Sequence, residues 1–158
     1  MKVENIKFRG KSKKTGEWLY GDLEYSIKKG IARIHSYDDE GEYIGQQEVD
    51  KETIGQFTGL YDENEREIYE GDIVDWVFFY MDCNGGAVER DTIVTGIIEW
   101  YQGGFILKVI NNDFDDAGQY GISDLNTDTE SDVVVKGNIH DNKELLDIDD
   151  LLQKGVEK

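Results

Sequence analysis

Residues 53–74 read Thr53-Ile54-Gly55-Gln56-Phe57-Thr58-Gly59-Leu60-Tyr61-Asp62-Glu63-Asn64-Glu65-Arg66-Glu67-Ile68-Tyr69-Glu70-Gly71-Asp72-Ile73-Val74. The pattern is a strand, a tight polar turn, and a second turn that launches a long apolar strand. Gly55, Gly59 and Gly71 stand where a chain turns sharply or lets another backbone approach. Glu63-Asn64-Glu65 has the polar composition of a loop tip between apolar flanks. Beyond Gly71-Asp72, the run Ile73, Val74, Trp76, Val77, Phe78 and Phe79 consists of β-formers. The stretch determines the fold and contains no obvious reaction centre.

Outward from it, the same grammar repeats. Upstream, Ile6 and Phe8 alternate with Lys7 and Arg9 as a short strand with one buried face. A polar turn at Lys11 to Gly16 leads to a second strand through Trp18, Tyr20, Leu23 and Tyr25, and a third is expected around Ile31 to His35. Tyr37 to Gly45 reads as a charged loop. Downstream, strands are expected at Asp72 to Met81, Arg90 to Trp100 and Gly104 to Ile110, punctuated by Asp82-Cys83-Asn84-Gly85-Gly86 and Gln102-Gly103-Gly104. Asn111 to Asp116 reads as an acidic loop, and residues 117–132 are too polar to assign. Val133-Val134-Val135 is a short buried strand. Asp141 or Asn142 would then cap a closing helix, with Leu145, Ile148, Leu151 and Leu152 on one face and Asp147, Asp149 and Asp150 opposite. That stripe is expected to dock on the sheet or on a neighbouring subunit.

Composition narrows the class. The 158 residues suit one domain, with possible subdomains at 1–60 and 61–158. There is one cysteine, Cys83, so no internal disulfide can form. No basic and apolar leader opens the chain, and the longest apolar run is too short to span a bilayer. A soluble, intracellular protein with no membrane contact is expected. Proline is absent, so the turns depend on 18 glycines with Asn and Asp, while 3 Trp, 9 Tyr and 6 Phe supply core material.

Seventeen Lys plus Arg against 35 Asp plus Glu give a net charge of −18. Direct contact with a nucleic-acid backbone is therefore disfavoured, except through the one basic cluster, Lys7, Arg9, Lys11, Lys13 and Lys14. An acidic surface favours solubility and basic partners.

Chemistry is hard to find. His35 and His140 belong to no HxxxH, HExxH or Cys/His cluster, and structural or surface roles are expected. Cys83 sits in a Gly-rich loop without a basic neighbour to lower its pKa. Asp113-Phe114-Asp115-Asp116-Ala117-Gly118 partly imitates a calcium loop, but Ala117 fills the fifth place and Asp124 the twelfth, so a solvated loop is expected. No GxSxG elbow, Walker A loop or GxGxxG turn occurs. No catalytic residue, cofactor or metal ligand is assigned.

Three ordered motifs carry a family resemblance. Ile6-Lys7-Phe8-Arg9-Gly10-Lys11 with Gly16-Glu17-Trp18-Leu19-Tyr20-Gly21-Asp22, then Gly55-Gln56-Phe57-Thr58-Gly59-Leu60 through Ile68-Tyr69-Glu70-Gly71-Asp72-Ile73-Val74, and finally Val135-Lys136-Gly137-Asn138-Ile139-His140-Asp141-Asn142 with Leu145-Leu146, resemble the YopX protein family. The resemblance implies a phage or prophage protein in the cytoplasm of a bacterial host, and it supplies no activity or catalytic residue. Family members often carry Asn-Gly at the tip of the central turn, where this chain has Asn64-Glu65; a type I′ turn prefers glycine there.

The expected fold is mainly β (α+β by strict count): an N-terminal β-meander packed on a small, partly open SH3-like barrel, closed by a short C-terminal helix. The expected function is a non-enzymatic accessory protein that binds a host or phage protein and forms a homo-oligomer. Trp76, Tyr80, Trp100 and Tyr101 are the candidate partner-binding residues, as aromatics left exposed by the barrel. The alternative is a nucleic-acid-linked protein of phage replication or regulation, acting through the N-terminal lysines or by acidic DNA mimicry. A metal-dependent hydrolase rests on the acidic loops alone.

Overall fold

The computed structural model describes residues 3–81, 87–112, 118–122, 125 and 132–146, with the backbone alone at 4, 78–81, 87–92, 112 and 132. Two compact units divide the chain at Gly59/Leu60, Met1–Gly59 and Leu60–Lys158. The described residues are strands joined by turns and short 3-10 segments, so the mainly β class holds.

In the first unit, β1 (Phe8–Lys11), β2 (Trp18–Ser26), β3 (Ile31–Tyr37) and β4 (Tyr43–Val49) lie in the order β4-β3-β2-β1, and β5 (Gly55–Tyr61) pairs with β1 on its other side. The pairs are antiparallel, with Arg9 opposite Tyr20, Leu23 opposite Ile34 and Tyr37 opposite Tyr43. Period-two alternation sends Leu23, Ala32, Ile34 and Val49 to one face. There Ala32, Ile34 and Val49 form a buried cluster with Phe8, Leu19, Leu23 and Ile54 packed on it. A 3-10 turn, Lys51–Thr53, is capped by Asp50, whose side chain accepts from the Glu52 N–H. Thr53 ties this turn to the sheet by accepting from the Lys11 N–H at 2.8 Å. Strand β4 begins at Tyr43, inside the stretch Tyr37 to Gly45 expected to be a loop, and runs on to Val49; it is an edge strand whose residues are mostly exposed, so no hydrophobic alternation marks it.

The second unit begins with the end of β5, which turns at Asp62 to Arg66 into β6 (Glu67–Tyr69). Strands β7 (Asp72–Met81), β8 (Ala87–Tyr101), β9 (Gly104–Asn112) and β10 (Gln119–Gly121) form a meander, and β11 (Asp132–Asn138) returns beside β7, giving the order β10-β9-β8-β7-β11. All of these pairs are antiparallel. The sheet is not closed into a barrel: β10 and β11 are its two edges. Val74, Trp76, Val94, Ile98, Leu107, Val133 and Val135 lie on its core face, with Ile68 and Leu125 completing the buried cluster.

Two aspartates secure the turns of the central stretch. Asp62 is 6% exposed. Its Oδ1 accepts from the N–H groups of Asn64 and Arg66, each at 2.9 Å, and its Oδ2 accepts from Val135 N–H at 3.2 Å. One carboxylate thus closes the hairpin loop and anchors it to β11. Burial alone would raise its pKa, but these three N–H donors and the Arg66 guanidinium outweigh it and hold the carboxyl below its ordinary value. The tip is not a type I′ turn. Glu65 N–H donates to the Asp62 carbonyl at 3.0 Å, Asp62 N–H donates to the Arg66 carbonyl at 2.8 Å, and Glu65 takes a left-handed φ of 61°. This is a type I turn followed by a left-handed residue, the usual three-residue hairpin. Asp72, also buried, accepts from Tyr69 N–H at 2.8 Å, and Gly71 (φ 85°) turns the chain so that its N–H reaches the Ile98 carbonyl at 2.8 Å.

After β11, Asn138 builds a compact corner: its Oδ1 accepts from the N–H groups of His140 and Asp141, each at 3.0 Å. Asn142 Oδ1 accepts from Asn138 N–H at 3.2 Å, so its side chain bonds backward and leaves the next turn uncapped. The expected closing helix is represented here by one 3-10 turn, Lys143–Leu145. Its remaining residues, 147–158, lie outside the described residues, as do Cys83, the acidic loop residues 113–117 and Asp124.

Candidate functional site

The β8–β9 hairpin gathers two exposed aromatics of the second unit. Gln102 and Gly103 form its two-residue turn, both with positive φ (48° and 91°), the geometry that matches the right-handed twist of flanking strands. The tight turn fixes the register, placing Trp100 opposite Phe105 and Tyr101 opposite Gly104. Trp100 meets Phe105 edge to face, with centroids 4.9 Å apart and planes at 83°. Trp100 shares a face with the buried Ile98 two residues before it, yet is 52% exposed because it lies at the end of the strand. Tyr101 points to the opposite face, is 46% exposed, and accepts at its hydroxyl from Gln102 Nε2 at 3.1 Å. Behind the tip, Lys108 Nζ and Glu99 Oε1 pair at 3.1 Å. Two large aromatic side chains are thus held on opposite faces of a short, register-locked ribbon. Such groups bury much area on contact at low cost in conformational freedom.

The other two candidates differ. Trp76 is 6% exposed and belongs to the core, where it meets Tyr120 edge to face at 5.2 Å. It is therefore not an exposed partner-binding residue. The alternation around it explains this: Val74 and Trp76 turn inward, while Asp75 between them turns out to accept from Thr95 Oγ1 at 2.7 Å. Tyr80 is on β7, and its side chain lies outside the described residues.

A second surface, not expected from the sequence, lies on β2, β3 and β4. Tyr37 donates its hydroxyl to Asp22 Oδ2 at 2.9 Å and meets Tyr43 edge to face at 5.8 Å. His35 Nε2 lies 2.9 Å from Glu24 Oε2, and Arg33 reaches Glu24 Oε1 at 3.1 Å. The His35 hydrogen bond, helped by Arg33, holds Glu24 below its ordinary pKa against the opposing effect of burial. The bond to Asp22 raises that of Tyr37. These groups saturate one another, and the result is a patterned polar and aromatic face. The signal for it was period-two spacing: Asp22 and Glu24 facing His35 and Arg33 across the β2–β3 pair.

The N-terminal cations are also placed. On β1, Arg9 and Lys11 lie over the ring of Trp18, at 4.7 and 5.5 Å from its centroid, and Lys7 lies 5.8 Å from that of Phe57. Lys13 pairs with Glu48. Charge divides unevenly along the chain: residues 1–59 carry 10 Lys plus Arg against 11 Asp plus Glu, and residues 60–158 carry 7 against 24. Among the described residues no group of three or more His, Cys, Asp or Glu is placed to hold a metal ion, and no helix is long and apolar enough to cross a membrane.

The family profile described as YopX protein matches residues 7–147 of the chain. No curated protein matches it.

Proposed function

Because the chain belongs to the YopX protein family, we propose that it is a phage-type accessory protein that works by binding another protein and catalyses no reaction. The observation that carries the reading is the β8–β9 tip, where Trp100 and Tyr101 stand half exposed on a turn that leaves little freedom to lose on binding. Its setting is the host cytoplasm, its partner a host or phage protein, and its own assembly a homo-oligomer. In this reading the second unit is an SH3-like platform, and the stripe Leu145, Ile148, Leu151 and Leu152 forms the closing helix. The test is affinity capture from infected or induced host lysate with wild type and with Trp100→Ala/Tyr101→Ala. A nuclease-resistant protein recovered by wild type and lost with the variant supports the reading. Equal recovery by both removes the tip from it.

The charge division favours a second reading. A unit with 24 acidic against 7 basic residues suits occupation of a DNA-binding protein by acidic mimicry. That reading predicts no affinity for duplex DNA and competition with DNA for a basic partner, relieved by salt.

A further inference from the structure

The first unit leaves one length of strand edge open. Where β4 ends it is paired on both sides: Lys13 N–H donates to the Glu48 carbonyl at 3.0 Å, Asp50 N–H donates to the Lys11 carbonyl at 2.9 Å, and Ser12 bridges to Val49. The Glu48 carbonyl therefore points away from β3. Two residues earlier, with no register shift between them, the N–H and C=O of Gln46 point the same way. Beside Gln46 the turn after β1 bends off, because the N–H groups of Lys14, Thr15 and Gly16 all return to Ser12. Turn and strand diverge into a groove of about 730 Å³ lined by Lys13, Lys14, Thr15, Gln46, Gln47 and Glu48. Among the described residues no strand pairs with this side of β4 from Tyr43 to Gln47. Tyr43 and Ile44 are 54% and 67% exposed, and a Cβ on Gly45 would meet no atom within 4 Å.

The two ends of this edge carry opposite charge. Lys13 and Lys14 stand at the Gln47 end, and the β3–β4 turn at the Tyr43 end carries Asp38, Asp39, Glu40 and Glu42. That turn is ordered by Asp38, whose Oδ1 accepts from the N–H groups of Glu40 and Glu42 at 3.0 and 2.8 Å. An edge basic at one end and acidic at the other complements itself when run antiparallel about a two-fold axis. The register follows from the room available. Lys13 takes the place opposite Glu48, so a second strand has the five positions Tyr43 to Gln47, and antiparallel self-pairing over all five is centred on Gly45. Gln46 then faces the second copy's Ile44, Gln47 faces its Tyr43, and its Glu42 enters the groove beside Lys13 and Lys14. Net charge also favours this surface. Residues 1–59 carry 10 basic against 11 acidic residues, whereas contact through residues 60–158 would set 7 against 24 facing the same excess.

We infer that the open edge of β4 is a self-association site, pairing with the same edge of a second copy across a two-fold axis. The inference rests on the homo-oligomer of the proposed function and deepens it by naming the surface through which the copies meet.

The test is sedimentation velocity of the full chain under reducing conditions, at concentrations up to about 100 µM. Wild type, Lys14→Glu, Glu42→Lys and an equimolar mixture of the two variants are compared, with folding of each checked by its thermal transition. Lys14→Glu leaves the Lys13–Glu48 pair in place, and Glu42→Lys keeps the backbone N–H that Asp38 holds. Each variant alone sets like charges together twice in every dimer, so its dimer dissociation constant should rise at least tenfold. In the mixture, position 14 of each variant meets position 42 of the other with opposite charge, and a heterodimer near wild-type affinity is expected. Recovery on mixing is a result that local damage to either variant would not give. A monomeric wild type overturns the inference together with the homo-oligomer. An oligomeric wild type whose variants associate unchanged, or whose mixture fails to recover, overturns the inference alone and moves the contact to another surface.

Discussion

Asp62 gives a quantitative handle on how the central stretch holds together. Replacement by Asn keeps the shape of the side chain and removes its charge. The carbonyl of the new amide can stay at the Oδ1 position and keep Asn64 N–H and Arg66 N–H, each at 2.9 Å in the native protein. The amide NH2 then faces Val135 N–H where Oδ2 had accepted from it at 3.2 Å, a donor set against a donor. Leaving a buried backbone N–H unpaired costs about 1–3 kcal/mol, and exchanging a charged for a neutral acceptor weakens the two remaining bonds by about 0.5–1 kcal/mol each. Burial opposes these losses, because the neutral amide is cheaper to bury than the carboxylate. The net expectation is a loss of about 2 kcal/mol at pH 7, or roughly 5 °C in Tm. In a Trp18→Phe background the remaining tryptophans, Trp76 and Trp100, both report on the second unit, so urea unfolding followed by their fluorescence reads the effect where it arises. The pH dependence is a further check. The folded carboxyl has a pKa below its ordinary 3.8, so its contribution is fully present above that value and is lost as pH falls through the folded pKa. The gap between wild type and Asp62→Asn therefore stays constant from pH 7 to about 5 and narrows below about 4. A variant within about 0.5 kcal/mol of wild type at pH 7, or a gap that does not change with pH, would refute the assignment of the carboxylate as the anchor.

Other substitutions test neighbouring parts of the structure. Glu65→Gly relieves a left-handed residue at φ 61° and should raise stability by about 0.5–1 kcal/mol, measured by urea denaturation; a loss would mean the tip gains something from the glutamate side chain. Gly96→Ala would set its Cβ 2.7 Å from the Lys108 carbonyl oxygen and 2.6 Å from Leu107 Cδ1, so a loss of about 2–3 kcal/mol is expected by the same assay, and near-neutral behaviour would contradict the close β8–β9 approach. Trp76→Ala should cost about 3–5 kcal/mol and lower the thermal transition steeply, whereas Trp100→Ala should cost no more than about 1–2 kcal/mol; reversed costs would exchange their places in core and surface.

The fold was legible where alternation and turn chemistry agreed. The central stretch declares its hairpin through a polar tip between apolar flanks, and its second turn through Gly71-Asp72, whose backbone and side chain both serve the corner. Strand β4 was not legible, because an edge strand in which Tyr43, Ile44, Gln46 and Gln47 are all exposed has no buried face to set a pattern. Strand β10 escaped for a related reason: three residues, Gln119 to Gly121, at a sheet edge in a polar stretch. Trp76 shows a signal that was present and outweighed. The flanking Asp75 assigns it to the inner face by alternation, but aromatic exposure cannot be read from residue type alone. Trp100 and Tyr101 are half exposed, but not for the expected reason, a barrel that leaves them out: they end β8 beside the Gln102-Gly103 turn, in an open sheet. The three backbone donors to Asp62, including one from Val135 far along the chain, lie beyond local pattern.

The most direct test of the central claim, that the protein works through the β8–β9 aromatic tip, is recovery of a partner from infected or induced host lysate by wild type and by Trp100→Ala/Tyr101→Ala in parallel, with nuclease present and with folding of both confirmed by their thermal transitions. A specific protein bound by wild type and reduced at least tenfold by the variant is the predicted result, corresponding to about 1.4 kcal/mol or more of lost binding free energy. Undiminished binding by a folded variant, or recovery by wild type that vanishes with nuclease, would contradict it.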